Sequence, residues 1–403
     1  MPAAGRAARR FAAAIVAAAG IGGVAAPAVE PAPATPAGGH VFAWERLADL
    51  PNKTGVAGAF AGVCGDEEGG RLVVAGGANF PDRPPWDGGA KAWQAAAWVL
   101  AEPDGKWEPG TPLPAPLGYG VSASFGGAVW CVGGCDAERH VATTVALGWD
   151  AARRRLTIER GALPPLPKPV AYAAGVVVGS RLYIAGGQEK PDAAVALGTL
   201  WSIDLAMAVT PDPGHATTKA RWQEHPRWPG PPRILPVLGT HAGRLYLVSG
   251  AELVAAPGAG PGVAAVTRRF LRDAYAFDPQ TQTWTVLAAP PVPMVAAAGP
   301  AIPVDGGRLA FLPGDDGELF ERRAEFAGRH PGFPRAIHLY DPSAASWLAA
   351  GEIPAEIAGT AAATPVTTSA VAWRGRTVIP SGETRPGVRT PAVVTATPRA
   401  VPP

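Results

Sequence analysis

Apolar and polar positions along this chain fall into one recurring phrase: a short apolar run, a glycine pair or its remnant, then a polar residue. Six copies occur: LVVAGGAN from Leu72, VWCVGGCD from Val129, RLYIAGGQE from Arg181, RLYLVSGAE from Arg244, RLAFLPGDD from Arg308 and RTVIPSGE from Arg376. Each reads as a strand punctuated by a turn. The second glycines are Gly77, Gly134, Gly187, Gly250, Gly314 and Gly382, giving gaps of 57, 53, 63, 64 and 68 residues. A small-residue strand precedes the pair, as at Gly120 to Phe125 and Tyr172 to Val178. A Trp-bearing strand with a Pro-rich exit follows it, as at Lys106 to Pro114 and Thr283 to Pro291. Each repeat is therefore expected to hold four strands, lettered a to d from first to last.

A period of about 50 residues built on a glycine-terminated strand is the kelch signature of a β-propeller. The expected fold is all-β, a six-bladed kelch-type propeller with strand a nearest the axis. A β-sandwich gives no reason for evenly spaced glycine pairs, each followed by a Trp-Pro segment. After Glu383 the last blade has only one further strand, Pro391 to Thr397, while FAWERLADLP (Phe42 to Pro51) is an orphan Trp strand at the other end. That orphan is expected to complete blade six, which closes the ring and removes an open sheet edge. Blades depend on their neighbours for burial, so residues 41–398 are expected to form one domain.

Gly and Pro number 51 and 46, yet they fall at the repeat punctuation, so periodicity outweighs a disordered reading. With 35 basic and 33 acidic residues the net charge is +2, and no basic stripe recommends nucleic acid as a partner. Arg6, Arg9 and Arg10, the apolar run Phe11 to Ala26 and the sequence Ala26-Pro27-Ala28 predict a signal peptide over residues 1–28. A disordered Pro/Ala-rich lead is expected over 29–40. The expected location is periplasmic or secreted, with Arg9-Arg10 leaving the export route open between general secretion and a twin-arginine pathway. The apolar run is short and interrupted by Gly20, Gly22 and Gly23, so no stable membrane anchor is expected. Cys64, Cys131 and Cys135 form no CxxC and read as small buried hydrophobes.

Strand alternation brings the b–c loops and the d–a connections to one face of the ring. By this reading Asn79, Asp136, Glu189, Glu252, Asp315 and Glu383 gather there with Tyr119, Tyr172 and Arg233. The long b–c loops at 78–92, 251–273 and 315–335 add Arg268, Arg269, Arg272, Arg322, Arg323, Arg329 and Arg335. So many guanidinium groups suit an anionic ligand, because the Arg fork fits a carboxylate bidentately; the plainer reading of each is a solvated loop charge. The seven histidines show no metal-ligand spacing and no GxSxG elbow occurs, so neither a metal nor any other cofactor is expected.

Four segments carry a closer resemblance: GAFAGV (Gly58 to Val63), AGGANFPDRPPWDGGAKAW (Ala75 to Trp93), LGYGVS (Leu117 to Ser122) and SGETRPGVRT (Ser381 to Thr390). Together they resemble the kelch-type N-acetylneuraminate epimerases, or sialic acid mutarotases, over roughly residues 41 to 398. The glutamate-arginine segment comes last here, an order that resembles the cyclically permuted branch of that family. The resemblance implies a small-molecule sugar acid as substrate, Glu383 as acid/base residue and Arg389 as its basic partner. Asn79, Lys91, Tyr119, Arg233 and Arg335 are the candidate substrate contacts. The competing expectation is a non-catalytic propeller that binds glycan or protein at the ring mouth. A flat apolar patch would mark the second, a funnel of Glu and Arg the first. Oligomeric state is left open.

Overall fold

A computed structural model describes residues 41–65, 70–209, 220–256 and 266–399. The expected signal peptide over 1–28 and the lead over 29–40 lie outside them. Six four-stranded antiparallel sheets are arranged as the blades of a propeller. Blade one runs Phe60–Cys64, Arg71–Ala75, Ala97–Leu100 and Glu108–Gly110 from axis to rim. Blade six holds Val371–Trp373, Arg376–Pro380 and Val393–Pro398, and its outermost strand is Phe42–Arg46 from the other end of the sequence. The closing strand pairs in register from Phe42↔Pro398 to Arg46↔Val394, with Trp44 opposite Ala396. Ring closure thus follows the orphan-strand expectation.

Apolar layers fill the spaces between blades; Leu50, Leu72, Val74, Trp373, Val378 and Val393 form one such layer between blades six and one. The recurrent Trp-Pro segments have a mechanical role. In four blades the outer-strand Trp donates its indole N–H to a carbonyl of the preceding blade's exit. The pairs are Trp107 to Ala48 (2.8 Å), Trp222 to Pro164 (3.1 Å), Trp284 to Pro226 (2.7 Å) and Trp347 to Ala288 (2.8 Å). Each indole buries its body between blades and satisfies its one polar atom.

Around the axis the backbone makes a closed circuit. Gly58, Tyr119, Tyr172, Leu235, Ala296 and Thr367, one per blade, all hold a left-handed φ between 54° and 66°. Each N–H donates to the carbonyl of its counterpart in the neighbouring blade, at 2.6 to 3.0 Å, and the last bond, Gly58 to Thr367, closes the circle. Five of the six are not glycine, and each bears a cost of roughly 1–2 kcal/mol for that conformation.

The degenerate glycine pairs have a physical account. In blade three a Cβ on Gly186 would lie 2.4 Å from the Arg233 carbonyl, so only glycine fits. Blades four and six place serine at that position, Ser249 at φ 56° and Ser381 at φ 62°. Their buried hydroxyls repay the strain: Ser249 Oγ accepts from Met294 N at 2.7 Å, and Ser381 Oγ accepts from Val56 N at 2.8 Å.

Candidate active site

The residue immediately after each glycine pair forms a backbone bridge with the d–a connection of its own ring position. The six bridges are Ala57↔Ala78, Gly118↔Cys135, Ala171↔Gln188, Ile234↔Ala251, Val295↔Asp315 and Val366↔Glu383. Six equivalent slots therefore circle the mouth, filled by Ala78, Cys135, Gln188, Ala251, Asp315 and Glu383. In blades one to four the expected mouth residues Asn79, Asp136, Glu189 and Glu252 lie one position further on, and a one-residue step along an extended chain turns the side chain to the other face.

Glu383 begins a two-stranded hairpin, Glu383–Arg385 against Val388–Arg389, in which Glu383 is opposite Arg389. Their six-residue separation is thus a cross-strand pairing. Pro386 and Gly387 make the turn, with Gly387 at φ 81°, the conformation a Pro-Gly turn requires. Gly387 N–H donates to Glu383 Oε1 at 2.7 Å. Arg385 ties the hairpin to the blade-five loop through Gly328 O at 2.9 Å.

The hairpin overhangs a cavity of ≈ 800 Å³, within the range of small-molecule sites. Its wall includes Lys91, Trp93, Tyr119, Tyr172, Arg268, Asp315, Arg323, Glu383 and Arg389. The cations rest on aromatic rings. Lys91 Nζ lies 4.1 Å from the Tyr119 ring centre and 4.8 Å from that of Trp93; Arg389 sits over Phe80 at 4.7 Å and Arg323 over Phe320 at 4.0 Å. Arg389 is 5% exposed, with Nη1 3.4 Å from Glu383 Oε1. That is an ion pair without hydrogen-bond geometry. Among the described residues Arg389 Nε and Nη1 and the Tyr119 hydroxyl have no hydrogen-bond partner. Buried donors without acceptors are costly unless something supplies the acceptors.

Electrostatics follow from this enclosure. Burial, aided by the Arg389 charge, lowers Lys91 to about 8. Burial also raises the Asp315 carboxyl and the Tyr119 and Tyr172 hydroxyls, and it lowers Arg268. His140 is held below its usual value by burial, and its Nδ1–H donates to Gln188 O at 2.8 Å. Among the described residues no three His, Cys, Asp or Glu side chains converge as metal ligands.

Of the sequence-predicted site residues, Glu383, Arg389, Lys91 and Tyr119 come together here. Asn79, Arg233 and Arg335 do not, and each is a structural strut. Asn79 is buried, with Nδ2 donating to Thr54 Oγ1 at 2.8 Å and Gly55 O at 2.9 Å, and Oδ1 accepting from Gln94. Arg233 is fully buried between Trp228 and Tyr275; it grips Asp273 bidentately at 2.5 and 2.9 Å and donates to Ser249 O. Arg335 spends its guanidinium on the carbonyls of Ile353, Pro354 and Ala362. Glu189 and Glu252 are paired with Lys168 and Arg269. Asp136 reaches the cavity rim but caps its own turn at Glu138 and Arg139. Sequence reasoning missed Gln188 and Cys135 as wall residues. Counting one residue from each glycine pair, instead of seeking the first charge, finds both.

No family model matches the chain. It is similar to the N-acetylneuraminate epimerase of Pasteurella multocida, 31% identical over 130 residues, covering 29% of this chain and 34% of that one. The Brucella suis protein of the same name is 35% identical over 133 residues, 29% and 32% of the two chains. The kelch-like protein terF of Aspergillus terreus is 25% identical over 313 residues, 77% of this chain and 58% of that one. The chain thus spans about a third of the length of these two epimerases.

Proposed function

We propose that this chain, similar over part of its length to N-acetylneuraminate epimerases, interconverts the α and β anomers of N-acetylneuraminate or a related sialic acid by acid/base catalysis. The observation that carries the reading is the buried Arg389, with donors unsatisfied, directly opposite Glu383 in an otherwise cation-rich cavity. A 2-keto sugar acid bears its carboxylate on the anomeric carbon. With that carboxylate held by Arg389 and Lys91, the anomeric hydroxyl falls beside Glu383. The carboxylate form of Glu383 removes the hydroxyl proton, the bond from C2 to the ring oxygen breaks, and the ring oxygen takes a proton. Rotation about C2–C3 and reclosure on the other face give the second anomer. Positioned proton transfer of this kind contributes on the order of 10²–10⁴-fold. The ordinary chemistry of these groups suffices, so no cofactor enters the scheme.

The non-catalytic alternative draws on the terF match, which spans 77% of the chain and is named for its kelch character alone. A polar funnel of Glu, Asp, Arg and Lys, in place of a flat apolar face, favours the enzyme. The N-terminal Arg-rich and apolar segment supports an exported protein. The test is an NMR time course of freshly released α-N-acetylneuraminate. The α signal should decay to the same equilibrium faster with protein than without; equal rates would refute the proposal.

A further inference from the structure

The proposed reaction, on which the following rests, moves two protons at different atoms. One leaves the anomeric hydroxyl and one arrives at the ring oxygen. Glu383 accounts for the first. Of the five other slots around the mouth, Ala78 and Ala251 carry no proton and Gln188 has none to exchange. Burial pushes the Cys135 thiol up, and it does the same to the Tyr119 and Tyr172 hydroxyls on the wall, so these groups hold their protons too tightly. Asp315 remains. It occupies in blade five the slot that Glu383 occupies in blade six, so the two carboxyls flank one cavity from adjacent blades.

We infer that Asp315 is the second proton-transfer group of this site, giving its proton to the ring oxygen while Glu383 takes that of the anomeric hydroxyl. Its backbone is fixed by two bonds to Val295, at 2.8 and 3.0 Å. Oδ1 accepts from Gly317 N at 3.0 Å, and the residue lines the cavity. Burial raises the carboxyl, as do Asp316 and Glu383; the Gly317 N–H and Arg268 act in the opposite sense. The two carboxyls line the same cavity from adjacent blades, so one can serve the anomeric hydroxyl while the other serves the ring oxygen, the pairing that acid/base catalysis at two atoms uses.

The cycle balances. On opening, Glu383 becomes protonated, Asp315 becomes ionised, the C2–ring oxygen bond breaks and C2 becomes a ketone. On reclosing, Asp315 removes the proton from the chain hydroxyl as its oxygen attacks the opposite face of C2. The new oxyanion recovers its proton from Glu383. Both groups return to their starting states, and no co-reactant is consumed.

The test is the pH dependence of kcat at saturating N-acetylneuraminate, followed by NMR, for wild type, Asp315→Asn and Asp315→Glu. Wild-type kcat should fall at high pH as Asp315 loses its proton. Asp315→Asn, which keeps the acceptor for Gly317, should lower kcat by about 10²-fold or more, with KM little changed and the high-pH fall abolished. Asp315→Glu should recover part of the rate and restore the fall. An Asp315→Asn enzyme with normal kcat, or one that is slow but keeps the wild-type pH profile, overturns the inference while leaving the anomerase reading intact. A wild-type protein that does not accelerate mutarotation overturns both.

Discussion

Replacing Arg389 by methionine separates a binding role from a structural one. In the free protein this guanidinium is 5% exposed, is paired only loosely with Glu383 at 3.4 Å, and leaves Nε and Nη1 without hydrogen bonds among the described residues. Its firmest contact is the Phe80 ring at 4.7 Å, worth about 0.5–2 kcal/mol; a thioether on the same ring recovers about 0.3–1.5 kcal/mol of that. Replacing a whole buried ion pair by apolar side chains is neutral or stabilising by about 1–4 kcal/mol, whereas removing one partner costs about 3–5 kcal/mol when it strands the other charge. Glu383 tolerates losing its partner, because it is 20% exposed and still accepts from Gly387 N. The unfolding free energy of Arg389→Met should therefore stay within about 1 kcal/mol of wild type or rise. Binding should respond in the opposite way. Each charge-assisted hydrogen bond to a substrate carboxylate is worth about 1.5–3 kcal/mol, so losing even one weakens affinity by about 10- to 150-fold. Urea titration gives the first quantity and calorimetric titration with N-acetylneuraminate the second. Destabilisation by more than about 2 kcal/mol with unchanged affinity would show that Arg389 is a strut like Arg233, and the reasoning would fail.

Glu383→Gln preserves size and the bond to Gly387 but not proton exchange, so kcat should drop by about 10²–10⁴-fold with the fold and the anomer equilibrium unchanged; NMR mutarotation rates and circular dichroism check both. Lys91 titrates at about 8, mainly because it is buried, and its charged form attracts the carboxylate. Consequently kcat/KM should decline as pH rises through that value, and Lys91→Met should remove this decline without abolishing turnover at saturation. Arg233 differs from Arg389 in its bonds: Arg233→Met removes two to Asp273 and those to the Ser249 and Pro231 carbonyls, so it should cost about 3–5 kcal/mol of stability in a denaturant titration. Substrate affinity of the remaining folded protein should stay at the wild-type level.

The propeller was legible because its signal is repeated: glycine pairs, Trp-Pro exits and an unpartnered N-terminal strand all point to the same ring. The mouth was only half legible. Glu383 and Asp315 immediately follow their glycines and were found; in the first four blades the chosen residues Asn79, Asp136, Glu189 and Glu252 lay one position further on, and of these four only Asp136 reaches the cavity. The arginines were misjudged for another reason. Arg233 and Arg335 look like any loop cation in sequence, and only Asp273, 40 residues away, or the carbonyls 18 to 27 residues away show that they are already spoken for. Lys91 and Arg389 differ in their bonding: Lys91 lies against the Tyr119 and Trp93 rings, and Arg389 lies over Phe80 with only a loose ion pair to Glu383. The serines of the worn glycine pairs were likewise unreadable, since their hydroxyl partners Val56 and Met294 come from other parts of the chain.

The circuit of six backbone bonds joining Gly58, Tyr119, Tyr172, Leu235, Ala296 and Thr367 has neither a head nor a tail. Every amide points the same way around the axis, so no peptide group is orphaned and no blade occupies a privileged place. Each slot at the mouth stands a fixed, short distance from this hub. A substitution at one slot can therefore alter the chemistry offered to a ligand without shifting its neighbours. Diversification can proceed one spoke at a time, much as a dial changes its reading without rebuilding the clock, and two adjacent carboxyls need no more than two independent changes on an otherwise inert wheel.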